Sequence, residues 1–241
     1  MSATRRRPEA VFFDAGYTLV WFQPTVEEIV LVALARIGID ATVEQVRAAF
    51  RSVWRLEDQD AATRCFPATV AYDHEVQLWR DRELLRCFGV EDEAQRERYA
   101  AHTEEIYGTP GTLRLYDDAL PVLDRLRDAG MRLGIISNWS WNLRRRVAQV
   151  GLQGYFEVVM ASAYAGCQKP HPDIFHQALA AMGMSAQQAV HVGDLVATDV
   201  VGARAAGIQP ILLDREGKAG DADCPVIKDL WGLLDCLEVA G

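Results

Sequence analysis

Between residues 118 and 213 the chain alternates four times between a helical pattern closed by glycine and a short apolar run. The helical pattern Asp118–Ala129 closes at Gly130 and leads into the run Arg132–Ser137. A second helix, from about Trp141, closes at Gly151 and leads into Glu157–Ala161. Pro172–Met182 closes at Gly183 before Ala189–Gly193, and Thr198–Ala206 closes at Gly207 before Pro210–Leu213. Glycine ends a helix without penalty because it adopts the left-handed cap conformation. Helix and strand in strict alternation predict a parallel sheet with right-handed crossovers.

One more strand is expected far upstream, at Ala10–Ala15, a short apolar run with a single Asp near its end. Roughly a hundred residues of helical pattern separate it from the next strand. Thr25-Val-Glu-Glu28 and Thr42-Val-Glu-Gln45 both match the capping box, and Gly38 closes the first of these helices. Further helical patterns run over Ala71–Phe88 and Glu93–Tyr107, and no strand is expected between Val20 and Leu113. A parallel crossover needs only a dozen or more residues, so the excess is read as an inserted subdomain. The expected division is a core at 1–20 and 113–241, with a helical cap at 21–112. The fold class is α/β, a Rossmann-like parallel sheet flanked by helices. Ligands of such sheets bind beyond the carboxyl ends of the strands.

Those ends are where the polar residues fall. The first strand ends in Asp14, with Thr18 four residues on, and Arg132–Ser137 ends in Ser137-Asn138. Ala189–Gly193 is followed by Asp194, with Asp199 five further, and Lys169-Pro170 precedes a proline-started helix. Gathered on one rim, Asp14, Asp194 and Asp199 would repel by roughly 4 kcal/mol per pair at about 4 Å and an effective dielectric of ~20. Such a cluster calls for a cation. Mg²⁺ suits oxygen ligands and leaves positions open for a phosphate.

The composition narrows the partners. The chain has 241 residues and a net charge of −9, which disfavours capture of nucleic acid phosphates. No apolar run approaches the ~20 residues of a membrane span. Arg5, Arg6 and Arg7 imitate a basic leader, but Ala10–Phe13 is too short an apolar stretch to follow one. Five scattered cysteines without a CxxC pair fit free thiols in a reducing cytoplasm.

Asp14-x-x-x-Thr18, Ser137, Lys169-Pro170 and Gly193-Asp194-x-x-x-x-Asp199 match, in order, the four motifs of the haloacid dehalogenase-like (HAD) superfamily. The chain resembles that family over almost its whole length, with the insertion similar to a C1 helical cap of subfamily I. The resemblance implies that Asp14 is a nucleophile forming an aspartyl-phosphate. It implies Asp14, the carbonyl of Gly16 and Asp194 as ligands of Mg²⁺. Thr18, Ser137 and the backbone around Asn138 would bind the phosphoryl group, Lys169 would neutralise nucleophile and phosphate, and Asp199 would orient Lys169 or a metal-bound water. The expected activity is hydrolysis of a small phosphorylated metabolite.

The first motif departs from the usual pattern. Most phosphatases of the family read DxDxT, the second Asp moving a proton; here the chain reads Asp14-Ala15-Gly16-Tyr17-Thr18. Phosphonatases also lack that Asp but need a cap lysine, and the only lysines are Lys169, Lys218 and Lys228, none in the insertion. The 2-haloacid dehalogenases carry a similar first motif, need no metal and usually lack the Gly-Asp pair present at Gly193-Asp194. The alternatives to a phosphatase are therefore a 2-haloacid dehalogenase and a weakly active or inactive binding protein of this fold.

Other residues are read both ways. His191 is expected to be a satisfied core histidine, and His171 a polar residue at a helix start or an aid to proton transfer. Trp139 and Trp141 either pack or line a substrate entrance. The insertion's Trp54, Phe66, Tyr72, Trp79 and Phe88 are expected mainly in its core.

Overall fold

The computed structural model describes residues 8–58, 60–218 and 222–239; Arg5, Arg6 and Arg7 lie outside them. In chain order the elements are β1 (Ala10–Phe13), β2 (Val20–Phe22), α1 (Val26–Arg36), α2 (Val43–Asp58), α3 (Val70–Arg86), α4 (Glu93–Gly108) and β3 (Leu113–Leu115). There follow α5 (Ala119–Asp128), β4 (Arg132–Ser137), α6 (Leu143–Gln149), β5 (Val158–Ala161), α7 (Ser162–Ala165), α8 (Pro172–Met182) and β6 (Ala189–Gly193). A π-turn at Val196–Val200 leads into α9 (Val201–Ala205), then β7 (Gln209–Leu213), β8 (Val226–Ile227) and α10 (Trp231–Cys236).

The chain divides into two units. Of the described residues, the first holds 8–20, 61–68, 115–218 and 222–239; the second holds 21–58, 60 and 69–114. The expected boundaries differ from these mainly at 61–68, which interrupts the insertion and groups with the first unit.

In the first unit six strands run parallel in the order β5-β4-β1-β6-β7-β8. The central strand β1 is buried along its whole length, as a strand covered on both faces must be. Phe12 sets the packing beside it: a Cβ on Gly134 of β4 would fall 2.5 Å from the Phe12 ring, so glycine alone admits that ring. Phe12, Ile174, Phe175, Ala178 and Ala203 belong to one buried cluster.

The second unit is built on α1–α4. Thr25 caps α1 in a capping box, its hydroxyl accepting from the Glu28 N–H while the Glu28 carboxylate accepts from the Thr25 N–H. Thr42 and Gln45 repeat the exchange at the start of α2. Val30, Leu34, Val46, Val53, Leu84, Leu85 and Tyr99 form its core, with Trp79 and Phe88 packed against it. Trp54 is exposed and stacks on Phe50 instead. Phe66 belongs to the first unit.

Two short strands, β2 and β3, pair with each other; β2 corrects the expectation of no strand after Val20. Three residues are too few for a periodic pattern to register. Among the described residues no helix is long and apolar enough to cross a membrane.

Candidate active site

The residues singled out by sequence converge at the carboxyl ends of β1, β4 and β6. Asp14 follows β1 directly, and its N–H donates to the Val192 carbonyl of β6 at 2.8 Å. The neighbouring strand thus fixes where the carboxylate leaves the sheet. Next comes a tight loop, in which the N–H groups of Leu19 and Val20 both donate to the Ala15 carbonyl at 2.9 Å. Tyr17 carries the loop's left-handed backbone, at φ 55°, and its side chain is 46 % exposed. Gly16 is outside the left-handed region.

Lys169 joins the site. Its ammonium, 2 % exposed, donates to Asp14 Oδ1 and Asp199 Oδ1, both at 2.6 Å. Asn138 holds its backbone: the Asn138 carbonyl oxygen accepts from Lys169 N at 2.7 Å, and its amide donates to the Lys169 carbonyl at 2.9 Å. The expected phosphoryl contact concerns the backbone around Asn138; its side chain is engaged in positioning the lysine. Ser137, buried at the end of β4, hydrogen-bonds Asp14.

Asp199 sits in the π-turn, a rare departure found often at functional sites. It is buried, and its Oδ2 accepts from Leu195 N at 3.1 Å. His191 Nε2 lies 2.8 Å from Asp199 Oδ1. As Asp199 is a carboxylate, that ring nitrogen carries the proton. His191 is therefore a satisfied core histidine at Nε2, and its Nδ1 has no partner. Its role in fixing Asp199 escaped the sequence because eight residues separate the two.

Burial and charge set the titration of this network. Burial raises the Asp14 carboxyl, with Lys169 opposing and Asp199 reinforcing the rise. For Asp199 burial is outweighed by Lys169 and His191, so its carboxyl is held low. Burial works against the Lys169 charge, yet Asp14 and Asp199 outweigh it and raise the ammonium. Burial lowers His191, leaving it neutral. Asp194 is pushed up to about 8 by burial and then by Asp14 and Asp199.

The donor set is the test of whether a cation belongs here. Three carboxylates face one ammonium, and the one without an ammonium contact resists ionising. A hard divalent ion fits such an oxygen donor set. Asp14, Asp194 and the Gly16 carbonyl could hold it.

Thr18 is fully buried and its hydroxyl has no partner, while its carbonyl accepts from Arg215 at 2.9 Å. Trp139 turns toward the first motif: a Cβ built on Gly16 would lie 3.6 Å from the edge of its ring. Its indole N–H donates to Asn142 at 3.0 Å. Trp141 packs edge-on against Tyr164. His171 caps α8, its Nδ1 accepting from Asp173 N at 3.2 Å.

A parallel sheet with a buried lysine bridging two carboxylates beyond its strand ends defines a hydrolase of the haloacid dehalogenase-like class. The chain belongs to that family, whose profile matches residues 8–207. Haloacid dehalogenase-like hydrolase domain-containing protein 3 of Homo sapiens is 30% identical over 216 residues, 83% of each chain. Phosphoserine phosphatase of Thermus thermophilus is 35% identical over 135 residues, 56% of this chain and 53% of that one. Among solved structures, a HAD phosphatase from Thermococcus onnurineus superposes with TM-score 0.65 at 25% identity, covering 96% and 98% of the two chains. A 2-haloacid dehalogenase from Pseudomonas syringae pv. Tomato does so with TM-score 0.65 at 26%, over the same shares.

Proposed function

We propose that this hydrolase is a Mg²⁺-dependent phosphatase of a small phosphorylated metabolite, working through an aspartyl-phosphate on Asp14. The observation that carries the reading is the surplus of carboxylate at Asp14, Asp194 and Asp199 over the single ammonium of Lys169. The 2-haloacid dehalogenases, which need no metal, usually lack the Gly-Asp pair that stands here at Gly193-Asp194. The phosphatase relative supports the same reading.

Phosphoryl transfer asks mainly for positioning and charge stabilisation. Asp14 attacks phosphorus, and a carboxylate nucleophile divides the displacement into two easier steps. Lys169, held by Asn138 and Asp199, keeps Asp14 oriented and offsets charge on the transferring group. Ser137 steadies the Asp14 carboxylate. Mg²⁺, when bound by Asp14, Asp194 and the Gly16 carbonyl, supplies the remaining positive charge. Gly16 moves no proton, so the leaving group must find one elsewhere, and substrates with good leaving groups are favoured. The five free thiols support a cytoplasmic setting.

The second reading, a 2-haloacid dehalogenase, rests on the same Gly16 and on the equal likeness to a dehalogenase structure. A screen of phosphorylated metabolites with Mg²⁺ or with EDTA, including a 2-haloacid, separates the two. Phosphate release that stops with EDTA supports the phosphatase; halide release insensitive to EDTA overturns it.

A further inference from the structure

Residues 61–68 leave the helical insertion and lie against the first unit, where Cys65 and Cys167 face each other as an isolated antiparallel bridge. The flanking bond runs from Phe66 N to the Gly166 carbonyl at 2.7 Å. The cysteines therefore occupy a ladder position whose own backbones exchange no hydrogen bond. Cα atoms at such positions stand about 4.5 Å apart, with side chains on one face. Disulfides span Cα separations of about 4.4–6.8 Å. Gly166 permits the approach: it takes φ 68°, and a Cβ there would fall 2.7 Å from the Phe66 carbonyl oxygen.

The two thiols are unlike. Cys65 is exposed and Cys167 is buried. His171 Nε2 stands 3.8 Å from Cys65 Sγ. Because His171 Nδ1 accepts the Asp173 N–H as the cap of α8, the neutral ring carries its proton on Nε2, directed at that sulfur. Cys65, His171 and Asp173 place ligand atoms within 4.8 Å of one another. A nitrogen bearing a proton does not ligate a metal, however, so the cap favours thiol chemistry over an ion.

We infer that Cys65 and Cys167 form a peroxide-sensing thiol pair, Cys65 the attacking sulfur and Cys167 the resolving one, closed by a reversible intramolecular disulfide. Cys65 sulfur, as thiolate and with the His171 N–H directed at it, attacks the terminal oxygen of a hydroperoxide. An S–O bond forms, the O–O bond breaks, and the departing alkoxide or hydroxide takes up a proton. Cys167 sulfur then displaces hydroxide from Cys65 sulfur, and the Cys167 proton leaves with it as water. Two thiols and one hydroperoxide give one disulfide, one alcohol or water, and one water. Burial pushes the Cys167 thiol up to about 12, the adjacent Cys65 adding to it, which assigns the first attack to Cys65. The crosslink closes two residues before Lys169. Cytosolic disulfides of this kind are transient and serve redox sensing.

The test treats the full chain, in EDTA, with one equivalent of hydrogen peroxide and maps peptides by mass without reduction. A Cys65–Cys167 linked peptide that dithiothreitol dissolves is the expected product. Cys65→Ser, a surface change, should abolish it and leave Cys167 unoxidised. Cys167→Ser should leave Cys65 as a sulfenic acid that dimedone captures, and replacing exposed Cys87 or Cys236 should change nothing. Links between chains, or Cys65 passing to sulfinic acid with Cys167 still free, would overturn the inference. So would a Cys65 that iodoacetamide alkylates only after chelation, since that result assigns the cluster to a metal ion.

Discussion

Gly193 has no side chain at the point where Asp199 lies against it: a Cβ there would sit 2.2 Å from the Asp199 carboxyl carbon. Asp199 cannot retreat, being held by Lys169, His191 and the Leu195 N–H. Gly193→Ala should therefore displace Asp199 and loosen Lys169, costing about 1–3 kcal/mol by overpacking together with most of the turnover. Thermal unfolding and a phosphatase assay read the two losses. A destabilised variant with full turnover would detach Asp199 from the chemistry.

Asp14→Asn should abolish turnover while the protein remains folded. The amide is a far weaker nucleophile, and Lys169 keeps Asp199 as a carboxylate partner. More than about a tenth of the parent rate, measured on the best substrate of the screen, would place the nucleophile elsewhere.

Asp194→Ala should act through the cation. It removes the carboxylate that burial, and then Asp14 and Asp199, push up to about 8, so the Mg²⁺ concentration for half-maximal rate should rise. A titration of rate against Mg²⁺ that overlays the parent's would dissociate Asp194 from the ion.

Gly16→Asp tests the absent acid. Gly16 is not in the left-handed region, and its Cβ would make ordinary contact with Trp139, so backbone strain does not stand in the way. General acid catalysis contributes roughly 10²–10⁴-fold when well placed. Alkyl phosphates, whose leaving oxygen needs a proton, should gain; aryl phosphates should change little. A stable variant that gains nothing on any alkyl ester would refute the account of a missing acid.

Asp81, on α3, is pushed up to about 6 by burial, with Arg80 opposing. The folded protein thus prefers a neutral Asp81. That preference stabilises the fold fully below the ordinary value of 3.8 and is lost as pH rises through about 6. The rise corresponds to about 3 kcal/mol, and the side chain's partial exposure reduces the expected effect to about 1–2 kcal/mol. Asp81→Asn should therefore raise Tm at about pH 8 and leave it unchanged near about pH 3.5. Equal shifts at both would exclude the carboxylate as the cause.

Most of the first unit was legible because it is periodic. Gly130, Gly151, Gly183 and Gly207 closed helices, and each was followed by an apolar run that became a strand of the sheet. Asp14 and Asp194 stand out as polar residues where such runs stop, Asp199 as the acid five residues after Asp194, and Lys169 as the lysine before a proline-started helix. What sequence missed depends on long-range pairing. Asn138 grips the Lys169 backbone across 31 residues, and an asparagine after a strand reads equally as a turn. Cys65 meets Cys167 across the rest of the insertion and all the elements from β3 to α7. The π-turn around Asp199 has the same local signals as an ordinary helix start.

The return of residues 61–68 to the first unit makes the helical insertion a poor candidate for exchange as a single block. A graft cut near residues 21 and 114 would carry away the segment whose Phe66 N–H occupies the Gly166 carbonyl, three residues before Lys169. The recipient would lose part of its own sheet-side framework together with the helices. The transferable piece is the set of four helices that share one core, α1–α4, carried as two segments on either side of a strap that belongs to the host. Chimeras that keep the host's strap and exchange both helical segments together respect that division and the core they share.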